Sequence, residues 1–382
     1  MAGMNLVIPF LPLYIHALGV RATADVERWT GLVFSASYMV SAFVQPLWGR
    51  LADRVGRRVM LLRSSIGMGV LMASMGLVTS VWQLFALRAL MGSVSGFISA
   101  ATALQATQTP TEHAGRALGT LQTGAVTGGL IGPFIGGVLA EWMSLRHVFF
   151  VTGGLLLLAT VLVVLFVREQ YTPDPKAAEL GTADFFRMIR ATGVIIPLSV
   201  VSLVLQTGYQ AIEPIVTIYV RQLSPSAPHL TTLAGAAFAA VGVGNLISAP
   251  RLGQLADKAG PEKILLWSLV VAAVLYLPQA FVTSAYWLMG MRLLLGLAVG
   301  GLLPAVQAMV RRYTPPALQG RAFGYNSSFF MAGSLVGPIM GGFVAASFGI
   351  PAIFFVTAAL LGLNALWVSR TVVAGIHRAA AD

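Results

Sequence analysis

Three charged residues, Arg88, Glu213 and Arg292, stand inside long apolar stretches of the chain, where a charge is expensive and therefore informative. Glu213 is the one acid of thirteen so placed. A carboxyl group there can exchange a proton or hold a cationic ligand. Arg292 occupies the same place in its stretch as Arg88 does, 204 residues later. Arg88 has no visible acid nearby, which makes it a cavity charge that a proton or substrate must approach. Asn5, Gln105, Gln122, Tyr209, Gln210, Gln307 and Asn326 add uncharged polar groups to a possible cavity, and Asn5 and Gln210 match in a repeat described below. Most polar residues in membrane helices simply bond neighbouring backbone, so each of these has a bland reading beside the functional one.

The elements that must position these groups follow from composition. With 57% hydrophobic residues, 10% charged residues and a mean hydropathy of +0.82 over 382 residues, the chain carries more apolar surface than a soluble fold can bury. Its apolar runs are about 20 residues long, the length a helix needs to cross the hydrocarbon layer. Runs such as FFVTGGLLLLATVLVVLFV at Phe149 to Val167 lack the alternation of a membrane barrel. Twelve helices are expected, at 1–18, 29–48, 59–79, 81–106, 116–140, 147–167, 194–221, 232–250, 263–282, 285–309, 321–346 and 351–373. Of 24 Lys and Arg, 18 go with alternate loops and the tail, against four (Arg21, Arg28, Arg146, Arg221) on the other side. That bias puts both termini in the cytoplasm and accounts for the net charge of +11 without nucleic acid.

The chain repeats itself. "GRALGTLQTGAVTGGLIGPFIGG" at Gly115 to Gly137 returns as "GRAFGYNSSFFMAGSLVGPIMGG" at Gly320 to Gly342. VFFVT at Val148 returns as IFFVT at Ile353, and GRLADRVG at Gly49 returns as GQLADKAG at Gly253. The fold class is therefore an all-α membrane protein of two pseudo-symmetric six-helix bundles, 1–167 and 194–373, with a cytoplasmic linker at 168–193 and a cytoplasmic tail at 374–382. An even number of helices per copy gives both copies the same orientation, and such pairs rock about a site between them. The same alignment places Met1 inside the first helix, so the native reading frame is expected to start upstream.

Gly49, Asp53, Arg54, Gly56, Arg57 and Arg58 fit the loop 2-3 signature of the major facilitator superfamily. Gly119, Gly128, Gly132, Pro133, Gly136 and Gly137 fit the helix 5 signature of its drug:proton antiporters. The whole chain resembles that twelve-helix branch, most closely its MdtG-type multidrug exporters. Met91 stands where the helix 4 signature often has glutamine, and Pro261-Glu262 stands where the first half has two arginines. The resemblance implies that helices 1, 4, 7 and 10 line a central cavity, so that Glu213 and Arg292 can pair. Two readings of Glu213 then stay open: a permanent ion pair with Arg292, or a carboxyl that alternates between a proton and a cationic substrate. The resemblance also implies a cytoplasmic latch, with Asp53 against the positive end of helix 11 and Asp257 in the same role in the other half.

Gly128, Gly132 and Gly136 lie four apart on one helix face, which lets a neighbouring backbone approach, and Pro133 bends the helix. Gly324, Gly333, Gly337, Pro338, Gly341 and Gly342 write the same surface into helix 11. Ordinary small-residue packing and a sliding seam are both consistent with this pattern.

The function expected from these readings is secondary active export of amphipathic small molecules by proton antiport, from a monomer in the bacterial cytoplasmic membrane. A carrier of one metabolite or lipid is the alternative, and a non-transport receptor is disfavoured by the short loops. The sequence has no P-loop, no HExxH, no glycine-serine elbow, no clustered His or carboxylates and no Cys, so no enzyme, cofactor or metal is expected.

Overall fold

A computed structural model describes residues 5–109, 111–169, 195–225, 227, 229–314 and 319–373. Among the described residues every regular element is helical. The elements follow one another as α1 (Ile8–Ala17), α2 (Thr23–Val55), α3 (Arg57–Met75), α4 (Val81–Val94 and Phe97–Gln108), α5 (Thr111–Trp142) and α6 (Leu145–Phe166). After the linker come α7 (Ile195–Ile212, Glu213–Ile215 and Val216–Leu223), α8 (Leu230–Ala259) and α9 (Pro261–Gln279). The last three are α10 (Ala285–Val299 and Leu302–Arg312), α11 (Gln319–Phe348) and α12 (Ile350–Trp367). Nine of these segments are, among the described residues, long and apolar enough to cross a membrane by themselves. The linker at 170–194, the tail at 374–382 and the start of helix 1 at 1–4 lie outside the described residues.

The duplication read from sequence reappears as duplicated packing. Tyr14 donates to the Met75 carbonyl at 2.8 Å, and Tyr219 donates to the Gln279 carbonyl at 2.9 Å. Each of these tyrosines tilts against a phenylalanine, Phe149 and Phe354 respectively, at 46° and 47°. Ser80 and Ser284 cap α4 and α10 by accepting the N–H of Gln83 and Trp287. Gly56 and Gly260 turn the chain into α3 and α9 with φ of 94° and 98°, a region closed to residues with a Cβ. A methyl group at Gly92 would strike the Ser37 carbonyl, and one at Gly296 would strike that of Val241, so α2 with α4 and α8 with α10 pack backbone to backbone.

Proline breaks the same helix in each copy. Pro9 sits in the tight turn Ile8–Phe10 and Pro214 in the tight turn Glu213–Ile215, because proline brings no N–H to the helical ladder. Such interruptions are tolerated at membrane depth where protein surrounds them.

The chain forms two compact units, 1–178 with 227–236, and 179–226 with 237–382. The head of α8 thus belongs with the first unit and the rest of it with the second.

Candidate functional site

In the second unit the break in α7 carries Glu213, and a hydrogen bond joins its carboxyl to the Tyr209 hydroxyl one turn earlier. The guanidinium of Arg292 from α10 and the phenol of Tyr276 from α9 act on it electrostatically. Arg292 and Tyr276 are both 3% exposed. Arg292 is fixed by its Nε, which donates to the Ala237 carbonyl at 2.9 Å, and its guanidinium carbon lies 5.8 Å from the Phe238 ring centroid. The ion pairs within 4 Å among the described residues are Asp25–Arg28 and Glu141–His229; Glu213 and Arg292 do not form one. A hydroxyl partner suits a carboxyl group in either protonation state, since it can donate to the anion or accept from the acid. A guanidinium in contact would demand the anion.

The first unit repeats the arginine without the acid. Arg88 lies 5.8 Å from the Phe34 ring centroid, as Arg292 does from Phe238, and Tyr38 acts on it electrostatically. It is 9% exposed, and its Nε and Nη2 have no acceptor. The place of Glu213 is taken in the first unit by Ile8, at the start of the matching proline turn. A buried guanidinium with hydrogens unspent is a site for an acceptor group.

The other sequence candidates scatter. Gln210 is buried beside Glu213, and Asn326, 7% exposed, accepts from Ser202 Oγ at 2.8 Å. Gln105 spends its amide on Thr109 Oγ1 at 3.0 Å, Gln307 is exposed, and Asn5 lies near Gly129. Asp257 is exposed. The side chains of Asp53, Arg54 and Gln122, with Gly49 and Gly119, lie outside the described residues. Arg57 and Arg58 begin α3, and the Glu169 carboxylate accepts their backbone N–H groups at 2.9 and 2.8 Å.

The glycine faces meet helix backbones of their own units. Gly333, Gly337 and Gly341 of α11 lie against the carbonyls of Leu203, Thr207 and Ala211, a ladder of period four facing a ladder of period four. On α5, Gly136 lies against the Leu6 carbonyl, and Gly137 against that of Thr231 at the head of α8. Gly235 in turn lies against the Pro133 carbonyl.

Three charged residues escaped the sequence reading. Glu27, in the first turns of α2, is 4% exposed, and its carboxyl makes no hydrogen bond or ion pair to any described residue. Helix 2 was expected to start only at residue 29, so this acid was placed in a loop. Glu141, at the end of α5, accepts the Thr232 N–H at 2.9 Å, and His229 Nδ1 lies 2.9 Å from its other oxygen. Arg63 was counted with loop 2-3 but sits on the second turn of α3, stacked on Trp48.

With this geometry established, the likeness to other proteins is specific. The sequence profile of the Major Facilitator Superfamily matches residues 1–232 and 198–378. The chain is 45% identical over 366 residues to the multidrug resistance protein MdtG of Serratia proteamaculans (strain 568), covering 96% of this chain and 89% of that one. It is 42% identical over 371 residues to the protein of the same name from Proteus mirabilis (strain HI4320), covering 96% and 92%. In fold it is similar to a bacterial homolog of the human lysosomal transporter Spinster in an inward-facing, occupied conformation, with a TM-score of 0.79 at 16% identity over 98% of this chain and 96% of that one. It is likewise similar to a mutant of the nucleoside transporter NupG, with a TM-score of 0.76 at 13% identity over 97% and 100%.

Proposed function

The chain belongs to the Major Facilitator Superfamily and is a multi-pass membrane transporter rather than an enzyme, and from that premise we propose that it exports amphipathic small molecules by antiport with protons. The observation that carries the coupling is the Glu213 carboxyl, bonded to Tyr209 at a proline break in α7 and free of any ion pair with Arg292. In this reading Glu213 takes a proton from the outer face and gives it up inside. The carboxylate left behind attracts a cationic or polar substrate, and the next proton from the outer face displaces that substrate outward and restores the acid. Arg292 keeps the emptied carboxylate tolerable in the apolar interior, and Arg88 offers hydrogen-bond donors to an acceptor group of substrate. The relatives' name, multidrug resistance protein, supports a broad range of small molecules, and the antiporter signature on α5 supports export. The protein works as a monomer in the bacterial cytoplasmic membrane with both termini inside, without a cofactor, the proton gradient supplying the energy.

The test is transport of a fluorescent lipophilic cation in inverted vesicles under an imposed proton gradient, comparing wild type with Glu213→Gln. Uptake into vesicles that collapses with the gradient and is lost in the variant, at equal inserted amount, is the expected result. Gradient-driven transport that survives Glu213→Gln makes the carboxyl structural and moves the coupling elsewhere.

A further inference from the structure

Outside that site, the second turn of α2 buries an acid, Glu27, whose carboxyl has no hydrogen bond or ion pair to any described residue. Arg28, its neighbour in sequence, pairs instead with Asp25 at 3.5 Å, where the two side chains are 45% and 55% exposed. In the same unit α1, α3 and α4 pack against α2. α1 brings Tyr14, whose hydroxyl is engaged with the Met75 carbonyl, and His16, which is exposed. α4 brings Arg88, which meets Phe34 and Tyr38, two and three turns further along α2. α3 carries its arginines, Arg57, Arg58 and Arg63, at its start, the far end from Glu27. Of the described charged groups none acts on Glu27 electrostatically; burial alone does. The ionisable side chains outside the described residues belong to loops 2-3, 4-5 and 10-11, the linker and the tail. By the charge bias these lie on the cytoplasmic side, whereas Glu27 follows loop 1-2 on the other.

Thr231 holds the matching place in the second copy, by the spacing of 204 that also relates Arg88 to Arg292 and Phe34 to Phe238. Thr231 is buried as well, and neutral. The fold therefore needs no acid at this place, and the carboxyl of the first copy calls for another reason. An unpaired carboxylate shut away from water is a costly charge, whereas the neutral acid is tolerated there. The packed head of α2 and a proton on Glu27 thus go together. We infer that Glu27 binds a proton from the outer side, and that this proton lets the head of α2 close. Water is close at hand, because Asp25 and Arg28 beside it are exposed, so a small displacement of this turn hydrates the carboxyl. The ionised form favours that displaced arrangement, so closure is favoured at low pH and lost as pH rises. Glu27 returns its proton to the side it came from and adds nothing to the number of protons carried across. Its role in transport rests on the antiport reading: the acidic outer medium that drives export also closes the outer end of α2 once the substrate has left.

Hydrogen–deuterium exchange of the detergent-purified chain tests this, read by mass spectrometry on peptides covering Thr23 to Phe34 and corrected for the intrinsic effect of pH on exchange. One linked proton changes an opening equilibrium by up to about tenfold per pH unit. Between about pH 5, just above the ordinary glutamate range, and about pH 7, protection of this segment in wild type should fall by about tenfold or more. Glu27→Gln, which has the shape of the neutral acid, should keep the low-pH protection throughout. Glu27→Met should do the same and stands in if Glu27→Gln fails to fold. Protection that does not change with pH in wild type overturns the inference, and so does a pH dependence that survives in the variants, which assigns it to another group. Exchange is read without substrate or gradient, so its failure leaves the coupling role of Glu213 standing, and transport that survives Glu213→Gln leaves this result intact.

Discussion

The Glu141 carboxylate accepts the backbone N–H of Thr232 in a 2.9 Å hydrogen bond and thereby caps α8 from a different helix. The cap is charge-assisted, because the first turn of a helix carries unpaired N–H groups and a partial positive charge. His229, immediately before α8, holds the second carboxylate oxygen. The same logic was expected of Asp53 on helix 11, where the Asp53 side chain lies outside the described residues; between α5 and the head of α8 it is met by Glu141.

Glu141→Gln should therefore weaken the cap and Glu141→Ala should remove it, the latter costing about 0.5 to 2 kcal/mol of stability. His229→Ala should do less, since its side chain is 74% exposed and screened. Thermal unfolding of the purified variants in one detergent checks the order Ala, Gln, wild type. Identical midpoints for Glu141→Ala and wild type would mean that the bond contributes nothing to holding α8.

Arg88 and Arg292 occupy equivalent places, yet their partners differ, so their removal should have opposite effects on the fold. Arg292→Leu leaves the Ala237 carbonyl without its donor and Glu213 without its cation, a loss of about 1 to 3 kcal/mol. Arg88→Leu removes a buried charge whose Nε and Nη2 have no acceptor, and should leave stability unchanged or raise it. Both should abolish export. The comparison needs only melting curves and vesicle transport on the same preparations; a lower midpoint for Arg88→Leu than for Arg292→Leu would refute the assignment.

How much of this could be read beforehand follows from how local each signal is. The duplicated motifs of α5 and α11 and the matched Arg88 and Arg292 are written in residue types at fixed spacing, so the two-copy architecture was legible. Tyr209 was legible only as a polar residue, although its spacing of four from Glu213 places both on one helix face. Glu141 was not legible, because its partner is a backbone N–H 91 residues away, and a main-chain donor leaves no mark in a sequence. Glu27 was missed because charges were used to place helix ends, while Arg63, inside the third helix expected at 59–79, was counted with the basic residues of the loop before it. α2 runs from Thr23 to Val55, well past the length that spans the hydrocarbon, and so carries a buried acid beyond the expected start.

Tyr209→Phe removes the hydrogen bond to Glu213 and keeps the ring. Loss of one such bond to a neutral donor is worth about 0.5 to 1.5 kcal/mol, or about two- to tenfold in transport rate. The pH profile of export should move as well, since the hydroxyl touches the group that carries the proton. Tyr276→Phe, which loses only an electrostatic neighbour, should change less. A Tyr209→Phe protein with the wild-type rate and pH profile at equal expression would remove Tyr209 from the coupling.

The glycine ladder of α11 makes the sharpest prediction, because its neighbours are carbonyls that cannot rotate away. Alanine at Gly337 or Gly341 pushes a methyl group into the backbone of α7 at Thr207 or Ala211, and α11 must shift outward to admit it. Overpacking of this kind typically costs about 1 to 3 kcal/mol, and the rigid contact surface argues for the upper part of that range. Gly324, on the same helix, has open space where its Cβ would lie, so Gly324→Ala should be neutral or slightly stabilising through helix propensity. The pair separates tight packing from a general need for glycine flexibility in α11. If the ladder is also a surface on which helices slide during transport, Gly341→Ala should lower the turnover of the surviving protein by more than its loss of folded material explains. Gly132→Leu on α5 should abolish transport while the protein still inserts. Equal melting points and equal transport for Gly324→Ala and Gly341→Ala would show that α11 yields to the added methyl, and that neither tight packing nor sliding is why glycine stands there.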